Sequence, residues 1–225
     1  MEKILRVEFH CHTVYSMDSS NHLPQLLKLA HERGIDRLVI TDHNTIRGAL
    51  RAKEMDPELV IIGEEIMTPK GELIAYFLTE EVPAHLSPIE TIERLRKQDA
   101  FISVPHPFDM LRHGWHTQDL LDILPMVDAI EVFNSRCLST GINERARTFA
   151  EEHDIPGTVG SDAHSLVELG LATMLLPFFE TADGLRKVIR QGKARTCLLS
   201  PLDHLKASTS IVMGKIMPWN WDNKE

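Results

Sequence analysis

Short apolar runs alternate with amphipathic helical patterns along almost the whole chain, and this alternation restricts the fold more than any other feature. Residues 4–9 predict a strand, and residues 22–33 predict a helix that ends at Gly34. The remaining strands are predicted at residues 38–41, 59–63, 73–78, 101–104, 129–133, 157–160 and 172–176, and the remaining helices at residues 47–55, 88–98, 115–124, 144–153 and 181–191. Apolar strands separated by helices are typical of a parallel sheet covered by helices. About seven repeats of this unit favour an α/β fold closed into a barrel.

The length and composition fit a single domain. The chain has 225 residues, of which 43% are hydrophobic and 25% are charged, and this is enough to form one large core. No low-complexity linker divides it. We therefore predict one barrel over residues 1–200, followed by a helical or irregular tail over residues 201–225 that packs on the barrel.

The charge, the cysteines and the first residues restrict the partners and the compartment. A formal net charge of -9 offers no basic surface, so we expect neither nucleic acid nor anionic lipid as a partner. An anionic substrate is compatible with this charge, because bound cations can invert the local field. Three cysteines without a CxxC pair fit a reducing compartment. There is no signal-peptide pattern and no apolar run near the ~18 residues of a membrane span, so we expect a cytoplasmic protein.

Histidines and carboxylates recur directly after the predicted strands. His10 and His12 follow residues 4–9. Later strands are followed in the same way by Asp42 and His43, Glu64 and Glu65, His106, and Asp162 and His164. The carboxyl ends of parallel strands meet at one end of a barrel, where catalytic groups converge. We therefore expect these residues to share one pocket.

The spacing within the motifs favours metal binding. Side chains at i and i+2 of a strand share a face, so His10 and His12 are expected to point together, as are Asp162 and His164. Mixed histidine and carboxylate ligands suit zinc, manganese or iron better than magnesium or calcium. The candidates outnumber the about four ligands of one tetrahedral site. Because a carboxylate such as Glu65 can bridge two cations, we expect two or three divalent ions.

Each motif alone also has a structural interpretation. A single His-x-His pair is weak evidence for a metal, and aspartates such as Asp42 or Asp162 often cap a following helix. Capping does not explain their recurrence at successive strand ends. The histidines outside these motifs are expected to be structural or incidental, namely His31, His85, His113, His116, His153 and His204.

Taken together, the motifs resemble those of the polymerase and histidinol phosphatase (PHP) family of metallophosphoesterases. The resemblance rests on His10-Cys11-His12-Thr13 with Ser16 and Asp18, Thr41-Asp42-His43, Gly63-Glu64-Glu65, Pro105-His106-Pro107, and Gly160-Ser161-Asp162-Ala163-His164. It spans residues 8–164 and continues loosely beyond them. It implies a distorted, seven-stranded, TIM-barrel-like α/β barrel with two or three metal ions at the carboxyl ends of the strands.

The resemblance also assigns the candidate ligands. It implies that one metal ion is surrounded by His10, His12, Glu65 and Asp162. Glu65 would bridge to a second ion, which His106 also binds. A third ion would be held by Asp18, His43 and His164.

Two positions depart from the family pattern. Many members have a histidine where this chain has Glu72, and a carboxylate there can still bind a metal but shifts the preference towards manganese or iron. In many members the acidic residue follows the serine directly, whereas here Met17 stands between Ser16 and Asp18.

The activity implied is hydrolysis of a small phosphorylated metabolite, a phosphomonoester or a phosphodiester, by a metal-bound hydroxide. His43 or His164 would protonate the leaving oxygen if it is not fully committed as a metal ligand. Arg112 and Arg136 are expected on loops beside the pocket, where they would bind phosphate bidentately, and Asn134 would contact the metal or the substrate.

Other functions share parts of this pattern. A metal-dependent amidohydrolase also builds its site on barrel strand ends, but no lysine is placed for carbamylation at a mid-chain strand end. A phosphodiesterase of short oligonucleotides could hold its substrate through the metals alone. A metal-stabilised module that supports a polymerase fits less well, because the chain has no basic stripe.

Overall fold

The computed structural model describes residues 3–200, which form one sheet with helices packed against it. The strands are β1 (Ile4–Glu8), β2 (Arg37–Ile40), β3 (Val60–Met67), β4 (Glu72–Tyr76), β5 (Phe101–Val104), β6 (Ala129–Asn134), β7 (Gly157–Gly160), β8 (Ala172–Pro177) and β9 (Lys193–Thr196). The α-helices are α1 (Leu23–Glu32), α2 (Arg47–Met55), α3 (Pro88–Lys97), α4 (Thr117–Ile123), α5 (Thr140–Glu152) and α6 (Ala182–Val188). The predicted tail over residues 201–225 lies outside the described residues.

The sheet has nine strands in the order β7-β6-β5-β4-β3-β2-β1-β8-β9, whereas the expected barrel has seven. The sheet nearly closes into a barrel, because the residues that follow the carboxyl ends of β1 and β7 contact each other. Cys11 forms a parallel bridge with Ala163, and the backbone N–H of His12 donates to the carbonyl of Ala163 at 2.9 Å. The Ser161 hydroxyl, just beyond β7, accepts from the backbone N–H of Ala172 at 2.9 Å. A distorted α/β barrel is therefore confirmed.

The sheet is mixed, so the prediction of a parallel sheet was wrong in part. β4 runs antiparallel to β3 and β5, and β8 runs antiparallel to β1 and β9. The physical reason for β4 is its short connection to β3, in which the backbone N–H of Thr68 donates to the carbonyl of Gly71 at 3.1 Å. A tight turn of this kind joins only antiparallel strands, since a parallel pair needs a long crossover.

The helices follow the apolar stripes in the sequence. In α1 the buried residues are Leu23, Leu26, Leu27 and Ala30, which form one face at helical spacing. α3 begins with a capping box, in which the Ser87 hydroxyl accepts from the backbone N–H of Glu90 and the Glu90 carboxylate accepts from that of Ser87. Two apolar clusters lie between the sheet and the helices, and a third combines strand side chains with α6.

This topology gathers the polar motifs at one end of the barrel. β1, β2 and β3 are parallel to one another, as are β5, β6 and β7. The predicted motifs follow the carboxyl ends of these strands, except that Glu65 lies within β3, which is longer than predicted. Because β4 runs in the opposite direction, its first residue, Glu72, is brought to the same end. Within the described residues no helix is long and apolar enough to cross a membrane.

Candidate metal centre

Four buried side chains converge at the centre of the barrel end. His10 Nε2 lies 3.1 Å from His12 Nε2, 3.4 Å from Glu65 Oε2 and 3.5 Å from Asp162 Oδ1. His12 Nε2 lies 3.3 Å from the same two carboxylate oxygens. In a tetrahedral site with metal–ligand bonds of about 2.0–2.1 Å, neighbouring ligand atoms are about 3.3 Å apart. These five distances match the spacing of ligands around one divalent cation, and ligand atoms of His10, His12 and Glu65 all lie within 4.8 Å of one another.

An orphaned oxygen supports the same fit. Glu65 Oε2 is buried and has no hydrogen-bond partner among the described residues, yet imidazole nitrogens of His10, His12 and His43 lie within 3.4 Å of it. A buried carboxylate oxygen without a partner costs about 1–3 kcal/mol or more. A cation among these atoms would remove that cost, so the residues present fit a metal.

Two further groups adjoin the first. On one side, His106 Nε2 lies 3.1 Å from Glu65 Oε1 and 3.8 Å from Glu72 Oε2, which makes Glu65 the shared carboxylate. On the other side, Asp18 Oδ2 lies 3.2 Å from His164 Nε2 and 3.5 Å from His43 Nε2. Met17 therefore does not keep Asp18 away from the two histidines. Ligand atoms of His12, His43 and His164 also lie within 4.8 Å of one another.

Strained backbone accompanies two of these residues. His106 has φ of 26° and Asp162 has φ of 53°, in the left-handed region that side chains other than glycine rarely adopt. Such residues cost about 1–3 kcal/mol each and cluster at functional sites.

Buried carboxylates hold the candidate ligands in place. Glu131 Oε1 lies 3.0 Å from His10 Nδ1, and Glu131 Oε2 accepts from the backbone N–H of His106 at 2.8 Å. Glu168 accepts from the backbone N–H of His164 at 2.9 Å. Glu8 accepts from the backbone N–H groups of His10 and Ser161 at 3.3 and 3.0 Å. The sequence analysis did not predict these three glutamates as site residues. The sequence feature that could have indicated them is a carboxylate within an apolar strand, as for Glu8 and Glu131, or next to the Asp162-His164 motif, as for Glu168.

Asp42 is a structural clamp and not a ligand in this arrangement. Its carboxylate accepts from the backbone N–H of Thr13 at 2.6 Å, from the Thr13 hydroxyl at 2.7 Å and from the Ser16 hydroxyl at 2.8 Å. Ser16 in turn lies 3.3 Å from His12 Nδ1 and accepts from the backbone N–H of His43 at 3.0 Å. Asp42 thereby links two histidine-bearing loops.

The electrostatics of the cluster favour added positive charge. Burial lowers the pKa of His10, but Asp162, Glu65 and Glu131 outweigh it and raise this pKa well above its usual value. Burial also opposes protonation of His12, yet hydrogen bonds to Asp162 and Glu65 raise its pKa to about 9. Burial and the charge of Glu65 raise the pKa of Glu72 to about 9. The negative charge of the carboxylates thus favours protonation of the neighbouring groups, and bound divalent cations would neutralise the same negative charge.

A cleft of about 630 Å³ opens onto the centre. It is lined by seven of the predicted metal ligands, Asp18, His43, Glu65, Glu72, His106, Asp162 and His164, while His10 and His12 lie behind them. Among the histidines expected to be incidental, His113 also lines the cleft, and His204 lies outside the described residues.

The three predicted substrate contacts differ in their placement. Arg112 and Arg136 line the cleft. Arg112 donates to Asp162, and Arg136 Nε lies 3.3 Å from Glu168 Oε1. Asn134 is buried beside the cleft, where its amide donates to Glu131 at 2.9 Å and to Asp162 at 3.2 Å. A direct contact between Asn134 and substrate stays a prediction.

Comparison with known proteins agrees with the fold and the site. Residues 8–93 match the PHP domain and residues 141–194 match the PHP-associated region. An uncharacterized protein of Methanocaldococcus jannaschii is 38% identical over 172 residues, which is 75% of this chain and 69% of that protein.

Three solved structures share the fold at low sequence identity. PsfC from Pseudomonas syringae is 17% identical, with a TM-score of 0.66 and coverage of 95% of this chain and 97% of PsfC. The lesion-specific endonuclease PfuEndoQ from Pyrococcus furiosus is 16% identical, with a TM-score of 0.62 and coverage of 85% of this chain and 58% of PfuEndoQ. A proposed metal-dependent phosphoesterase from Bifidobacterium adolescentis is 17% identical, with a TM-score of 0.58 and coverage of 70% and 87%.

The barrel end with its clustered histidines and carboxylates defines a metal-binding α/β barrel, and together with the matched relatives it supports a metal-dependent hydrolase. The chain belongs to the PHP family.

Proposed function

We propose that this protein hydrolyses phosphate esters of a small metabolite, as a phosphomonoesterase or a phosphodiesterase, with two or three divalent cations of zinc, manganese or iron. The observation that carries the proposal is the convergence of five histidines and four carboxylates at one end of the barrel, beside a cleft that two arginines line. Arginine matches the oxygens of a phosphate bidentately, and a cleft that holds both cations and arginines suits a doubly charged anion.

The distances support a division of the ligands into three groups. His10, His12, Glu65 and Asp162 would hold one cation, because their ligand atoms are 3.1–3.5 Å apart in the pairs given above. Glu65 would share a second cation with His106 and Glu72. Asp18, His43 and His164 would hold a third.

The cations, when bound, would polarise the phosphoryl oxygens and lower the pKa of a coordinated water to about 7. Arg112 and Arg136 would bind the remaining phosphoryl oxygens from the wall of the cleft. Glu131 keeps the proton of His10 on Nδ1, which leaves the lone pair of Nε2 directed into the site.

Of the two candidate acids, His43 is better suited to protonate the leaving oxygen, provided that it is not bound to the third cation. It lines the cleft, and although burial lowers its pKa, Glu65 and Asp18 raise it overall. His164 differs, because burial and the neighbouring His12 lower its pKa to about 4. An imidazole without a proton is the form that binds metal, so His164 is better suited as a ligand than as an acid.

Amide hydrolysis is the competing reaction for such a site. No lysine is among the residues that line the cleft within the described part of the chain, and the two arginines favour phosphate over a neutral amide. A phosphodiesterase of short oligonucleotides remains within the proposal, since it uses the same chemistry on a larger ester.

A screen of phosphorylated metabolites with added Mn²⁺ tests the proposal. We expect phosphate release that EDTA abolishes and that fresh metal restores. Asp162→Asn should lose the activity, whereas His116→Ala, at an exposed histidine away from the cleft, should retain it. Activity that survives EDTA, or hydrolysis of amides and lactones without hydrolysis of phosphate esters, would refute the proposal.

A further inference from the structure

Three apolar side chains line the mouth of the polar cleft. Met17 and Leu111 are 89% and 83% exposed, and Tyr15 is 38% exposed. All three belong to the lining of the cleft that holds the candidate ligands. Tyr15 and Met17 follow β1, whereas Leu111 lies in a short 3-10 helix after β5.

These side chains lie close to the candidate ligands. Met17 precedes Asp18, whose carboxylate is 3.2 Å from His164 Nε2. Leu111 precedes Arg112, which donates to Asp162. Both side chains line the same cleft as these ligands, so a group attached to a phosphate bound there could contact them.

Within residues 3–200, no packing role accounts for this apolar surface. Met17 and Leu111 leave most of their surface in water, at a cost of about 25 cal/mol per Å² relative to burial. Exposed apolar residues grouped on one surface commonly mark a binding site. Met17 is also the residue that separates Ser16 from Asp18 in this chain, where many family members have no residue between them. Asp18 nevertheless lies 3.5 Å from His43.

The cleft has room for more than a phosphate. Its volume of about 630 Å³ lies within the range of about 300–1,000 Å³ that is typical of sites for organic ligands. Candidate ligands, arginines and apolar side chains share its lining, and Met67 is a further apolar member. The occupant that matches this division is an anion with an apolar part.

We infer that the organic group of the substrate is apolar, an alkyl or aryl group that packs against Met17, Leu111 and Tyr15, which set the specificity. The inference rests on the proposed function and narrows it from small phosphorylated metabolites to esters of apolar alcohols.

A series of linear alkyl phosphates, from ethyl to hexyl, tests the inference in the metal-loaded protein. Because each methylene would move from water into the apolar mouth, kcat/KM should rise about two- to fourfold for each one added. In the double variant Met17→Ser with Leu111→Ser, the rise in kcat/KM for each added methylene should be less than half of that in the parent protein. Met55→Ser, at a methionine of 45% exposure on α2, is the matched control and should keep the increase.

Binding of the corresponding alkylphosphonates, measured by calorimetry, gives a readout without turnover. Affinity should rise with chain length in the parent protein and not in the double variant. Equal kcat/KM and equal affinity across the series, or a preference for glycerol phosphate, would overturn the inference while leaving phosphate-ester hydrolysis intact. Absence of hydrolysis of every phosphate ester would instead refute the proposed function, and the phosphonate series would still decide whether the mouth binds apolar groups.

Discussion

Glu131 Oε1 lies 3.0 Å from Nδ1 of His10, and neither side chain is exposed to solvent. This contact places a carboxylate acceptor at Nδ1, and Nε2 of the same ring lies 3.1 Å from His12 Nε2. Carboxylates that hold a metal-binding histidine in this way raise its basicity, and their loss typically lowers metal affinity about 10- to 100-fold.

We therefore expect Glu131→Gln to weaken the binding of the first cation by about 10- to 100-fold, with little change in the fold. Titration with Mn²⁺ or Zn²⁺ by calorimetry measures the effect. Glu151→Gln, at an exposed glutamate of α5, is the control and should bind as the parent protein does. Unchanged affinity in Glu131→Gln would show that the contact does not orient a ligand.

Gly160 permits the close approach of β7 to His10. A Cβ atom at this position would lie 2.4 Å from His10 Cβ and close to the Glu131 carboxylate. We expect Gly160→Ala to destabilise the protein by about 1–3 kcal/mol and to reduce its metal content, because His10 must move. Urea denaturation and metal analysis measure the two effects.

Gly141→Ala is the matched control for this substitution. The nearest atom to its added Cβ is the Ser139 hydroxyl at an ordinary 3.5 Å, and the residue lies in the first turn of α5. Its stability should equal or slightly exceed that of the parent. If Gly160→Ala behaved in the same way, the proposed packing of β7 against His10 would be wrong.

Asp42 should prove structural although it lies next to a candidate ligand. In Asp42→Asn an amide N–H would face one of three donors that now bind the carboxylate, and we expect a loss of about 1–3 kcal/mol in the free energy of unfolding. Asp183→Asn removes only a surface contact with Lys187 and should cost less than about 1 kcal/mol. Equal stability of the two variants would contradict the structural role of the Asp42 carboxylate.

The parts of this fold that follow from local pattern were predictable. Apolar periodicity located the helices and most strands, and the positions of His10, His12 and His106 after strands predicted their meeting. Glu65 was expected after a strand as well, but it lies within β3 near its carboxyl end. β9 was missed because all four of its residues are exposed and polar or small, so it has no apolar pattern. The reversed direction of β4 was missed because strand direction depends on the turn and the sheet, which periodicity does not encode.

The supporting residues of the site were harder to predict than the ligands. Glu131 lies within β6 between apolar neighbours, and only the register of β6 beside β5 and β7 brings it to His10 and His106. Glu72 joins the site because β4 is antiparallel. Both roles depend on three-dimensional neighbours that are distant in sequence.

Metal binding should stabilise the folded protein. A cation that binds only the folded state at 100 times its Kd adds about 2.7 kcal/mol, which raises Tm by several degrees. We expect EDTA to lower Tm and Mn²⁺ or Zn²⁺ to restore it. Asp162→Asn should lose most of this response, and Asp154→Asn, at a carboxylate of 91% exposure, should retain it. The same response in both variants would place the metal elsewhere.

The most direct test of the central claim is anomalous diffraction from crystals grown with Mn²⁺ or Zn²⁺. The structure predicts at least two cation peaks within the cleft, one of them in contact with His10, His12, Glu65 and Asp162. A map with no peak at these four side chains, or with cations bound only outside the cleft, would contradict the claim.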